Sequence, residues 1–141
     1  MPIASPAATP TEADVAGCSV AGALVEAIAA RDFAALEATL SRTARLRALV
    51  PRGVREWDGA DQIRAAFTTW FGDVEEFELV EAAIGDVGSR LHLRMRMRLQ
   101  AQRLGTGWFV VEQHVYADTD TEGRIVQLAL LCSGYCPESA S

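Results

Sequence analysis

Between Leu91 and Leu99 the chain alternates without a break: Leu91, Leu93, Met95, Met97 and Leu99 are apolar, while His92, Arg94, Arg96 and Arg98 are polar. A period of two sends successive side chains to opposite faces of a strand, so the segment reads as a strand with one dry and one wet face. A helix would scatter the same residues around its circumference. The chain must therefore build a sheet with one covered side, and the remaining sequence must supply the cover.

The cover comes first along the chain. Over residues 13–30, Ala21, Leu24, Val25 and Ile28 recur at intervals of three and four, the spacing of an amphipathic helix. Asp32 can cap a second, shorter helix running through Leu36 to Leu40, which makes a helical hairpin. Residues 44–50 end at Pro51 and Gly53, a turn signal, after which Val54 to Trp57 can return as a short strand. Asp58 and Gly59 then open a third helix with an aromatic stripe of Phe67, Trp70 and Phe71, closed by Gly72.

After Asp73 the pattern predicts a meander of four strands, at 75–84, 90–102, 108–119 and 124–135. Helices first and strands afterwards is the order of an α+β fold, with the helices packed on one face of an antiparallel sheet. At 141 residues this is one domain. Its expected extent is 13–137, behind a disordered Ala-, Pro-, Ser- and Thr-rich leader over 1–12 and before a tail over 138–141.

Like faces stay together across the second hairpin if Arg98 faces Glu112, Arg96 faces His114 and Arg94 faces Tyr116. The dry face of the third strand then carries Phe109, Val111, Gln113, Val115 and Ala117, and the last strand adds Val126, Leu128, Leu130 and Cys132. Gln113 is the outlier: an amide in an apolar surface, whose burial without partners costs on the order of 1 to 3 kcal/mol. Either backbone, water or a helix side chain satisfies it, or it orients a ligand. On the wet face, Trp108, Tyr116 and Leu131 add apolar area among the charges, which predicts a homodimer across the sheet.

The formal net charge of -6 repels phosphate, so neither nucleic acid nor an anionic membrane surface is an expected partner. A neutral small molecule fits better. The first residues lack a signal-peptide pattern and no stretch reaches the length of a membrane span, so the expected location is the cytoplasm. Cys18, Cys132 and Cys136 are odd in number and match no zinc or redox spacing, so they read as free thiols and no metal or cofactor is expected.

Three stretches carry a family likeness: ALVEAIAARDFAALEATL in the helical hairpin, WDGADQIRAAFTTWF at the third helix and EQHVYADTDTEGRIVQLALL in the last hairpin. Through them the chain resembles the nuclear transport factor 2-like superfamily, in particular its ketosteroid isomerase-like and polyketide-cyclase-like (SnoaL-like) members. The resemblance implies a strongly curved sheet whose concave face and helices enclose a conical pocket. It places the aspartate base of ketosteroid isomerase-like members near Ala48 and their first-helix tyrosine near Leu24, neither of which moves a proton. It places the inward acid of the third core strand at or beside Gln113, and a last-strand pocket residue near Cys132.

The resulting expectation is a pocket protein acting on a neutral, apolar, carbonyl-bearing, polyketide-like compound by cyclisation or isomerisation. Gln113 and Cys132 are the candidate catalytic groups. Leu24, Phe67, Trp70, Met95, Met97, Val111 and Leu130 are the candidate ligand contacts. Two alternatives stay open. If the faces were reversed, Arg96, Arg98, Glu112 and His114 would line the cavity and activate water as in epoxide-hydrolase-like members. Otherwise the domain is a non-catalytic binding or dimerisation module.

Overall fold

The computed structural model describes the backbone of residues 12–138 and the side chains of residues 20–138. Apart from Glu12 and Glu138, the expected leader and tail lie outside the described residues, as does the Cys18 side chain. Helix α1 (Glu12–Ala30) ends where Arg31 turns to a φ of 52°, and Asp32 N closes the end by donating to Ala27 O at 2.8 Å. Asp32 then caps α2 (Phe33–Ala38), its side chain accepting from Ala35 N. Arg31 Nη1 reaches across to Val74 O at 2.8 Å, tying the helical hairpin to the chain just beyond the third helix.

The strands are β1 (Leu40–Val50), β2 (Gly53–Asp58), β3 (Glu76–Val87), β4 (Arg90–Gln100), β5 (Phe109–Thr119), β6 (Ile125–Cys132) and the short β7 (Cys136–Pro137), with α3 (Ala60–Phe71) between β2 and β3. They form one sheet in the order β2-β1-β6-β5-β4-β3, with β7 on β5. The four-strand meander is present as β3 to β6. Leu40 begins β1 rather than ending α2, because Thr39 caps the helix: its hydroxyl donates to Leu36 O at 2.7 Å and its own carbonyl accepts from Ile125 N. The sheet is also not wholly antiparallel, since β1 lies parallel to β6, pairing Leu46 with Leu128 and Ala48 with Leu130.

On β4 and β5 the faces fall as the alternation requires, whereas at the start of β6 the register shift beside Thr119 buries Ile125 in place of the expected Val126. Leu93, Met95, Met97 and Leu99 are fully buried, and Gln113 joins them at 0% exposure. α1 packs on β3 and β4, while α3 packs on β1 and β2, so the two helical elements cover different ends of the sheet. The predicted β4–β5 register is off by two residues: Arg96 faces Glu112, Arg94 faces His114, His92 faces Tyr116 and Arg98 faces Val110. The connection is longer than expected, because residues 101–108 hold a 3-10 turn at Gln102–Leu104 and are not part of either strand. A shift of two preserves the face of every side chain, which is why the faces were right and the partners were not. The pairing register shifts between Leu79 and Glu81, between Leu40 and Arg45 and between Asp118 and Thr119, interruptions of the kind that bend strands locally.

Candidate functional site

A cavity of about 690 Å³ opens where α3, the β1–β2 hairpin and the C-terminal ends of β6 and the chain converge over β5. Val111 and Gln113 of β5 and Cys132 of β6 line its sheet side, and Thr69, Trp70 and Phe71 come from the last turn of α3. Val50, Pro51, Arg52, Arg55 and Trp57 enter from the β1–β2 hairpin. Arg103 and Leu104 enter from the 3-10 turn, and Gly134 and Tyr135 from the loop after β6. Trp57 and Trp70 meet edge to face, centroids 5.6 Å apart, and Phe67 stands behind Trp70 at 5.0 Å.

Gly134 shows how tightly this rim closes. It has a φ of +77°, and a Cβ built on it would come within 2.5 Å of the Pro51 ring. Only a glycine lets the β6–β7 loop sit against the β1–β2 turn.

Gln113 and Cys132 are direct partners across β5 and β6. Gln113 Nε2 donates to Cys132 Sγ at 3.6 Å, and Gly134 N donates to the same sulfur at 3.4 Å. Gln113 Oε1 is buried and has no hydrogen-bond partner among the described residues. None of the expected satisfying groups on backbone or helix reaches it.

At the opposite wall, Trp70 O, a carbonyl left free by the end of α3, accepts from Tyr135 Oη at 2.7 Å and from Arg103 Nη2 at 3.0 Å. Arg103 also donates through Nε to Asp73 Oδ2 at 2.9 Å and stacks over the Tyr135 ring, 4.9 Å from its centroid. Burial pushes the Tyr135 phenol above its ordinary range although Arg103 works against it, so Tyr135 is a neutral hydrogen-bond donor near neutral pH. The bonds that Arg103 donates to Tyr135 Oη and to Asp73 favour its charged form against the effect of burial.

Of the candidate ligand contacts, Trp70 and Val111 line the cavity together with Gln113 and Cys132. Leu24, Phe67, Met95, Met97 and Leu130 pack in the buried core and are not among its lining residues. Arg96, Arg98, Glu112 and His114 lie on the outer face of the sheet. Arg96 Nη2 meets Glu112 Oε1 at 3.1 Å, His114 Nε2 stands 3.5 Å from Glu112 Oε2, and Arg98 bridges Glu78 and Glu138 while covering the Trp108 ring at 3.8 Å. The face reversal that a water-activating cluster would need is therefore not what the fold builds. Among the cavity's lining residues there is no carboxylate and no imidazole.

Trp57, Arg52, Arg55, Arg103 and Tyr135 were not among the candidates. Trp57 had a signal: it alternates with Glu56 in a strand already expected, one residue before a helix start. Arg103 and Tyr135 had none, because each reaches the cavity from a loop whose path depends on the folded sheet.

No family model matches the chain, and no curated protein matches it. Solved structures with the same fold include an LEH-like epoxide hydrolase from M. tuberculosis, 18% identical with a TM-score of 0.64 over 84% of each chain. A Shewanella denitrificans protein provisionally assigned as a SnoaL-like polyketide cyclase is 14% identical, with a TM-score of 0.64 over 83% of this chain and 90% of the other. A Catenulispora acidiphila protein of ketosteroid isomerase-like fold, solved with trimethylamine, is 15% identical with a TM-score of 0.63 over 82% of this chain and 85% of the other. The chain has the nuclear transport factor 2-like fold.

Proposed function

We propose that this protein binds an apolar, oxygen-bearing small molecule in the cavity and promotes its isomerisation or cyclisation by holding it in a folded conformation. The observation that supports the reading is the unpaired amide oxygen of Gln113, set beside Val111 on the sheet side of the cavity and across from Trp57 and Trp70. Leaving a buried polar atom unpaired costs on the order of 1 to 3 kcal/mol, and a ligand oxygen supplies the missing bond. As oriented, Gln113 Oε1 accepts from a hydroxyl or enol. Rotated by half a turn, the amide instead donates Nε2 to a carbonyl and sets Oε1 toward the Cys132 thiol. One side chain thus serves both partners of a keto–enol pair.

Catalysis in such a cavity rests on positioning and on hydrogen bonding to the developing charge, because no lining residue is a carboxylate or imidazole that could abstract a proton. The same absence favours a second reading, in which the domain binds its ligand without transforming it.

The test is thermal denaturation of wild type and Gln113→Leu against a panel of fused-ring and linear polyketide-like compounds. A ligand at a hundred times its dissociation constant adds roughly 2.7 kcal/mol of stability. A rise in the midpoint for wild type that Gln113→Leu removes supports the cavity as the site, and chromatography of the bound compound then separates turnover from binding. If no compound shifts the midpoint, or the shift survives in Gln113→Leu, the assignment of Gln113 fails.

A further inference from the structure

The chain carries a net charge of -6, yet its cavity is lined by three arginines, Arg52, Arg55 and Arg103, and by no aspartate or glutamate. Arg103 is committed to Asp73 and to Trp70 O. None of the ion pairs among the described residues involves Arg52 or Arg55.

Their placement follows from the hairpin. Arg55 faces Ala48 and Trp57 faces Leu46 across β1 and β2, and Ala48 and Leu46 are buried beneath the helices. Arg55 and Trp57 therefore project to the cavity side of the sheet. Glu56, between them, faces Arg47 on the other side, and Asp58 is paired with Arg45. The alternation of β2 has sorted its charges: acids on the outer face, and on the cavity side an arginine that is exposed and in no ion pair among the described residues. Arg52 joins it from the turn at the mouth.

We propose that Arg52 and Arg55 form a carboxylate clamp at the mouth of the cavity, so that the ligand is an amphipathic organic acid. Its flat apolar body lies against Trp57 and Trp70, and its carboxylate stays at the rim. Guanidinium groups suit this task because they present forked N–H donors to both oxygens of a carboxylate and stay charged at any physiological pH. The local field draws in an anion that the net charge would repel, which replaces the neutral compound expected from composition. This inference rests on the cavity being the ligand site.

Calorimetric titration of the full chain with 2-naphthoate and with its neutral analogue 2-naphthamide tests it. The acid is expected to bind at least about tenfold tighter at low salt, and the ratio to fall as salt screens the rim. In Arg52→Gln/Arg55→Gln the ratio falls to about one, with an unchanged thermal midpoint of the free protein showing that the fold is intact. Equal binding of the two probes to wild type, or a preference that survives in the double variant, overturns the clamp while leaving the cavity as a site. Binding of neither probe counts against the cavity itself and takes the clamp with it.

Discussion

Gln113 and Cys132 face each other across β5 and β6, and the amide donates its nitrogen to the sulfur at 3.6 Å while its oxygen stays unpaired. A sulfur acceptor is weak, so this amide is held loosely on one side and not at all on the other. Gln113→Leu, of similar volume and without polar atoms, is therefore expected to raise the stability of the free protein by about 1 kcal/mol. That corresponds to a gain of a few degrees in thermal midpoint, measurable by calorimetry.

Gly134→Ala is expected to cost on the order of 1 to 3 kcal/mol, from a positive φ and a Cβ that meets the Pro51 ring. Urea denaturation gives the cost. Because Pro51 and Gly134 both line the cavity, ligand affinity should drop with it, whereas Gly88→Ala, in the β3–β4 turn with open space around it, leaves affinity unchanged.

Acid should weaken the outer face first. The Arg96 guanidinium, with a smaller contribution from His114, holds the Glu112 carboxyl below its ordinary value. A depressed folded-state value means that the stabilisation is complete above the carboxylate's unfolded value and is lost as pH falls through the folded one. Denaturation midpoints of Glu112→Gln should accordingly fall less steeply than wild type on the acid side. The variant should be slightly less stable at neutral pH, the difference being small because the pair is solvent-accessible.

The outer face also carries Leu49, Val54 and Leu131, exposed to 50%, 52% and 46%, around a shallow recess that includes Tyr116. We propose that a second copy of the chain covers this patch. Sedimentation equilibrium is expected to return twice the chain mass for wild type and a single chain mass for Leu131→Glu. A monomeric wild type at micromolar concentration would refute the dimer.

Much of this fold is legible in local pattern because local pattern reports local physics. The alternation from Leu91 to Leu99 assigns faces whatever the strands pair with, and it exposes Gln113 as the one amide on the dry side before any partner is known. The aromatic stripe of α3 likewise announces a buried helix face. The register of β4 on β5 was less accessible, since it depends on how many residues the 3-10 turn at Gln102–Leu104 consumes.

The cavity was decided by tertiary structure. Its walls come from the β1–β2 hairpin, the end of α3, the 3-10 turn and the loop after β6, segments far apart in the chain that meet because β1 docks parallel to β6. Whether Arg55 faces a ligand or the solvent depends on that docking, as does the meeting of Arg103, Tyr135 and Trp70 O. Sequence by itself determined which faces of α3, β4 and β5 are buried, because burial there follows from the periodicity of each element, whereas at the start of β6 a register shift overrides it and buries Ile125. Which residues border the space left between elements depends on how those elements close over one another, and that is set by long-range pairing and sheet curvature.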